Sequence, residues 1–316
     1  MIKGIRLSFL PGLIFLYLFV TLLSGGLASC QAGNQTADSD DSPTLTVTYE
    51  PQRWIVERIA GSEDFRINVL LPPGSDAETF TPTVRQLKNL NQGGIWLHLN
   101  TIGFERKLLA SAVSGSVNPV DVSYGINTLT HTHCGHNHSH ENDIDPDDGE
   151  TENYQHSHHD NEIDPHLWSS VRNTEIIARN ILRELVRLNP DKANLYNENF
   201  NRLAAELLSL DIEIEKNLTQ SEAGAFMVNH PSLSYFARDY GLTQIAVEAE
   251  GKQPSILEFR DRIIEAKRAG ARAIIVDAGS DADKGTAIAD NAGLKVITLN
   301  LNTAGWLEEI KKLTEL

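Results

Sequence analysis

The chain has 316 residues, with 27 Lys and Arg against 43 Asp and Glu, for a formal net charge of −16, and only two cysteines, Cys30 and Cys134. A surface this acidic repels nucleic acid and draws cations, and two cysteines cannot build a disulfide framework. The length allows two modest domains with real cores.

The N-terminus opens with Lys3 and Arg6, continues through an apolar run from Leu7 to Leu23, and ends on Leu27-Ala28-Ser29-Cys30. That pattern is a secretory signal, too short and wrongly flanked for an uncleaved membrane span. It resembles bacterial lipoprotein signals, which implies removal of residues 1–29 and lipidation of Cys30. Losing Lys3 and Arg6, with no acid among residues 1–29, takes the charge from −16 to −18. Residues 30–43 then read as the lipidated cysteine and a polar tether.

From residue 44 strand and helix alternate. Strands are predicted over 45–49, 65–71, 94–99 and 120–124, with helices over 52–60, 83–90 and 104–112, a pattern that makes a parallel α/β sheet. A helix after Trp168 runs to about Leu188 and stops at Asn189-Pro190. Tyr196, Phe200, Leu203, Leu207, Leu210 and Ile214 then recur at steps of four and three, one apolar stripe on a helix over 191–218. With fewer than four heptads between α/β segments, this helix reads as an intramolecular strut rather than a coiled-coil dimer. The alternation resumes with strands over 225–228, 243–247, 271–276 and 294–299 and helices over 233–240, 255–269, 284–291 and 303–313. The expected fold is α/β: an N-terminal lobe (44–190) and a C-terminal lobe (219–316), each with a mainly parallel sheet flanked by helices. A single long rigid helix joins them, and the inter-lobe cleft lies where strand carboxyl ends gather ligands.

Within 131–163 lies a polar, acidic segment carrying His131, His133, His136, His138, His140, His156, His158 and His159, with Cys134 among them. Neutral imidazole suits zinc, copper and nickel, so this segment reads as a loose accessory metal loop, against the bland reading of a solvated linker. Its interior position and irregular spacing argue against an affinity tag. Cys134 is a soft ligand or a bystander, with no intramolecular partner once Cys30 carries lipid.

Other residues fit a more committed site. His166 sits in Asp164-Pro165-His166-Leu167-Trp168, where Asp164 can orient the imidazole from behind. His230 follows a strand and precedes Pro231, though a lone strand-end histidine is ordinarily structural. Asp277, Asp281 and Asp283 follow another strand, where each reads equally as a helix cap.

These segments resemble the metal-binding lipoproteins of bacterial ABC importers for zinc and manganese, over essentially everything after the tether. Pro72-Pro73-Gly74-Ser75-Asp76-Ala77-Glu78 is similar to the family's first ligand loop, Asp164–Trp168 to its second, Asn229-His230-Pro231 with Tyr235–Gly241 to its third, and Ile275–Asp281 to its fourth. The resemblance implies one ligand per motif, two from each lobe: Glu78, His166, His230 and Asp281, with Asp277 the runner-up and Asp283 third. Glu78 stands where the family usually has histidine, which leaves a mixed nitrogen and oxygen site. The histidine-rich loop is what zinc-specific members carry, so Zn2+ is the expected cargo, with Mn2+ or iron as the alternative.

The expected function is therefore non-enzymatic: a lipid-anchored, monomeric extracytoplasmic receptor of the bacterial cell envelope that hands zinc to an ABC permease and its ATPase. A zinc buffer or chaperone serving no transporter is the first rival. A zinc hydrolase with Glu78 or Glu105 as base is the second, although no His-Glu-x-x-His motif is present. On cell adhesion, which could coexist with transport, the sequence is silent.

Overall fold

The computed structural model describes residues 43–111, 116–130, 163–248, 255–278, 289 and 292–316. These fall within one compact unit. The first half supplies β1 (Thr44–Val47), α1 (Glu50–Ala60), β2 (Arg66–Val69), α2 (Val84–Leu90), β3 (Gly94–His98), α3 (Gly103–Ser111) and β4 (Val117–Asp121). Then come α4 (Val171–Leu188) and α5 (Ala193–Ser221). The second half adds β5 (Ala225–Val228), α6 (Ser234–Tyr240), β6 (Thr243–Ala246), α7 (Ile256–Arg268), β7 (Ala273–Asp277), β8 (Lys295–Leu299) and α8 (Trp306–Lys311).

The strands form two four-stranded sheets, ordered β2-β1-β3-β4 and β6-β5-β7-β8, and every pair is parallel. Parallel sheets need both faces covered. Alternate residues of the second sheet accordingly split. Phe226, Val228, Ile275 and Ile297 join a core shared with the first sheet, while Met227, Ile245, Ile274 and Val276 pack with Ala266 of α7 on the other face. Helix α5 carries the predicted stripe, and Tyr196, Phe200, Leu203, Leu207, Leu210, Ile214 and Leu218 are all buried in the shared core. Its 29 residues make a rod of about 44 Å at 1.5 Å per residue.

Boundaries differ from expectation where local chemistry intervenes. The fourth strand is Val117–Asp121 rather than 120–124. It pairs only with β3, at the sheet edge, where the missing N–H of Pro119 can be tolerated. The long helix begins after a 3-10 turn, Pro190–Lys192, which uses proline where an amide donor is not required. The last helix shortens to Trp306–Lys311 and tightens into a 3-10 turn, Lys312–Glu315. The helix predicted over 284–291 lies outside the described residues, apart from position 289. Gly94 opens β3 at φ 99°, and a Cβ there would lie 2.5 Å from the Thr44 carbonyl oxygen, so no other residue fits without displacing β1.

Inside the first lobe a polar network fixes the strand ends. The Trp96 indole N–H donates to Thr48 Oγ1 at 3.2 Å, the Thr48 hydroxyl donates to Glu105, and Glu105 accepts the Leu99 amide at 3.2 Å. Glu105 is completely buried, and burial, opposed by Thr48 and by the backbone amides of residues 99, 100 and 102, leaves its carboxyl raised to about 7.

Candidate metal centre

The carboxyl ends of both sheets face one cleft, a cavity of about 280 Å³ lined by Asp76, His166, Trp168, His230, Glu248 and Asp277 among others. In the second sheet β5 has β6 on one side and β7 on the other, so its crossovers diverge between β5 and β7. That is the switch point at which open sheets bind ligands, and the loops leaving β5 and β7 carry His230 and Asp277.

Glu78 reaches the cleft through a built turn. The Asp76 carboxylate accepts the Glu78 amide and the Thr79 hydroxyl, each at 2.9 Å, an Asx turn that dictates the local backbone. Between the two acids Ala77 is buried in the core and anchors the loop. His166 is buried, and Asp164 Oδ1 accepts both its backbone N–H and its Nδ1–H at 2.9 Å. That tie leaves Nε2 as the free lone pair for a ligand. Burial pushes the Asp164 carboxyl up, but its bonds to His166 and Ser234 outweigh this and hold it below the usual carboxylate range. Such a carboxylate stays ionised and can receive the imidazole N–H.

His230 approaches from the other lobe. Its ring centroid lies 5.3 Å from that of His166, and Nε2 lies 3.6 Å from Glu78 Oε1. That separation exceeds a hydrogen bond, and the buried Nε2 has no hydrogen-bond partner among the described residues. Burial pulls the imidazole down, yet the carboxylates of Glu78, Asp76 and Asp277 together raise it above its ordinary value. Donor atoms of Glu78, His166 and His230 all lie within 4.8 Å of one another, and a modest inward shift of the side chains brings all three to about 2 Å from one ion, where tetrahedral donors sit about 3.3 Å apart.

Asp277 closes β7, and its carboxyl is raised by burial despite the opposing pull of His166 and His230, with Asp76 adding like-charge repulsion. It is coupled to both imidazoles and faces the same cleft. Asp281, ahead of it by motif alignment, lies outside the described residues, as do Asp283, Cys30, Cys134 and the eight loop histidines. Glu105 is fully buried and bonded to Thr48 and Leu99, so it does not belong to this cluster. Two cleft carboxylates escaped the sequence reading. Glu248 accepts from Asn229 Nδ2 at 3.0 Å and sits just past β6, where the strand-end rule applied to every strand would have found it. Asp76 carries no signal in the sequence beyond its place in the first motif.

What this arrangement can do is bind a borderline divalent cation: two imidazoles and at least one carboxylate converge, and further acids surround them. Comparison with known proteins agrees. The family model described as ZnuA, zinc-uptake complex component A periplasmic, matches residues 45–310. A crystal structure of ZnuA aligns with a TM-score of 0.71 at 28% identity, covering 87% of this chain and 97% of that one. A zinc-bound deletion mutant of ZnuA aligns at 0.69 and 29% identity, over 87% of this chain and 96% of that one. The zinc-binding protein AdcA of Streptococcus pyogenes serotype M3 is 24% identical over 269 residues, which are 81% of this chain but only 50% of AdcA. Two parallel sheets backed by one long helix, with histidines from both halves meeting in the cleft, are thus the frame of a solute-binding protein, and the chain belongs to the ZnuA family, the periplasmic zinc-binding components of metal ABC importers.

Proposed function

We infer that this chain captures zinc between Glu78, His166 and His230, with Asp277 or Asp281 completing the set, and releases it to a membrane permease driven by an ATPase. The observation that carries the reading is the convergence of two imidazoles from opposite lobes and one carboxylate within 4.8 Å. Asp277 is the candidate that stands among the described residues, where it lines the same cleft as His166 and His230. The surrounding acids leave excess negative charge that a divalent ion offsets. Zinc-bound ZnuA and the zinc-binding AdcA support the choice of metal. Binding and release need no covalent chemistry.

No helix among the described residues is long and apolar enough to cross a membrane, and lipidation at Cys30 supplies the attachment in this reading. The histidine-rich segment (131–159) acts as an accessory that binds further ions more weakly. The second reading, a manganese or iron receptor, draws on one residue: Glu78 supplies a hard oxygen where relatives usually place nitrogen.

Competition calorimetry with zinc and manganese decides between them. The intact protein should prefer zinc and show one tight site. His166→Ala should lose that site, Glu78→Ala should weaken it, and deletion of 131–159 should lower the stoichiometry while keeping it. Manganese displacing zinc from the intact protein would sink the zinc assignment; a tight site lost with the loop would sink the division of labour.

A further inference from the structure

We propose that Tyr235 is a positioning residue for the metal cleft: reaching from the C-terminal lobe, it grips the backbone beside His166 and sets the direction of that imidazole relative to His230. The inference rests on the reading of His166 and His230 as ligands. Tyr235 is fully buried on α6, five residues beyond His230. Its hydroxyl donates to the Asp164 carbonyl oxygen at 2.8 Å and accepts the Leu129 amide at 3.1 Å. Leu129 in turn receives the Asp164 amide at 2.9 Å, so one phenol locks two strands of backbone together.

From Asp164 the connection to the ligand is direct. Its side chain accepts both His166 N–H groups at 2.9 Å, and Ser234, the neighbour of Tyr235 on α6, favours the charge of the same carboxylate. Arg238, one turn further along, lies 5.0 Å over the Tyr235 ring and donates to the Asn127 carbonyl at 2.8 Å and to Asn173 Oδ1 at 3.2 Å. Helix α6 therefore holds Asp164 by its carbonyl, while the loop leading into the same helix carries His230. One short element determines where both imidazoles point, although they belong to different lobes.

Packing alone does not require the hydroxyl, since phenylalanine fills nearly the same volume. The other tyrosine of α6 gives the contrast: Tyr240 donates to Asp211 on α5 at 2.7 Å and, among the described residues, has no bond to Asp164 or Leu129. Metal selectivity depends on ligand geometry more than on ligand type, and partners behind a ligand typically change metal affinity by about 10–100-fold.

The experiment compares Tyr235→Phe, Tyr240→Phe and His166→Ala in the full chain by chelator competition for zinc, by the visible absorption of the Co2+-loaded protein, and by unfolding of the metal-free protein. Tyr235→Phe should weaken zinc binding about tenfold, the low end for such partners, and shift the Co2+ bands at saturation. Tyr240→Phe should lose stability with affinity and spectrum unchanged. If Tyr235→Phe retains the original affinity and spectrum while His166→Ala loses zinc, the positioning role is wrong and the ligand assignment survives. If His166→Ala binds zinc as before, the ligand assignment itself falls. Should Tyr235→Phe fail to fold, Arg238→Gln, which frees the ring and the Asn127 tie but keeps the hydroxyl, should shift the Co2+ bands in the same direction; an unshifted spectrum there overturns the proposal.

Discussion

Glu105 shows how one buried side chain ties stability to pH without touching the cleft. Its carboxyl titrates near 7 in the fold against 4.5 for the free group. Folding therefore favours the protonated form: its contribution is fullest below the unfolded value and is lost as pH rises from 4.5 towards 7. The loss amounts to about 3 kcal/mol by linkage. Denaturant unfolding of the metal-free protein and of Glu105→Gln, compared at intervals across that window, should give curves whose difference changes by this amount; parallel curves would show that Glu105 is not the titrating group. Glu78 raises a different question at the same scale. Replacing it by histidine exchanges a carboxylate oxygen for a softer nitrogen within reach of His230, and nitrogen favours zinc over manganese. Glu78→His should widen the zinc preference in competition calorimetry, and a narrowed preference would mean that Glu78 does not contact the ion.

Helix α5 is the element that makes one folding unit out of two sheets. Its stripe is buried in the core to which residues of both contribute, and Leu207 there is 1% exposed. Leu207→Ala should cost about 2–5 kcal/mol and keep a single unfolding transition. Two separated transitions would show that the halves fold independently. This helix was legible in the sequence because a buried stripe must recur every three to four residues, and the strands were legible because buried parallel strands are continuous apolar runs. Pro119 hid the fourth strand because its tolerance depends on lying at an edge, which only the sheet order reveals. His166 and His230 stood out through their motifs. Asp76 and Glu248 did not: Asp76 reads as an ordinary Asx-turn residue, and Glu248 reaches the cleft because β6 lies beside β5, an adjacency that only the sheet order reveals. Tyr235 was visible only as part of a motif, and its role depends on two backbone partners more than sixty residues away.

At the scale of the whole molecule, the shared core argues against wide opening and closing. Besides α5, the halves are joined by Asn302, which accepts the Glu50 amide at 3.1 Å and donates to the Pro72 carbonyl at 2.9 Å. Trp306 adds another tie, its indole N–H donating to the Trp168 carbonyl at 2.8 Å and its ring lying 5.6 Å from that of Trp54. Tyr235 and Arg238 hold the opposite side of the cleft. A hinge motion of many degrees would break these bonds and expose apolar surface that close-packed interiors do not readily give up. Metal release should instead proceed by small shifts of the ligand side chains, of which Glu78 is the most exposed. Solution scattering on protein lacking 131–159, so that compaction of the loop itself cannot contribute, should give radii with and without zinc that differ by less than a twentieth of the ~19 Å expected for a compact chain of this size. A compaction of several ångströms on adding zinc would mean that the ties at Asn302, Trp306 and Tyr235 break in the metal-free protein, and that the long helix bends rather than braces.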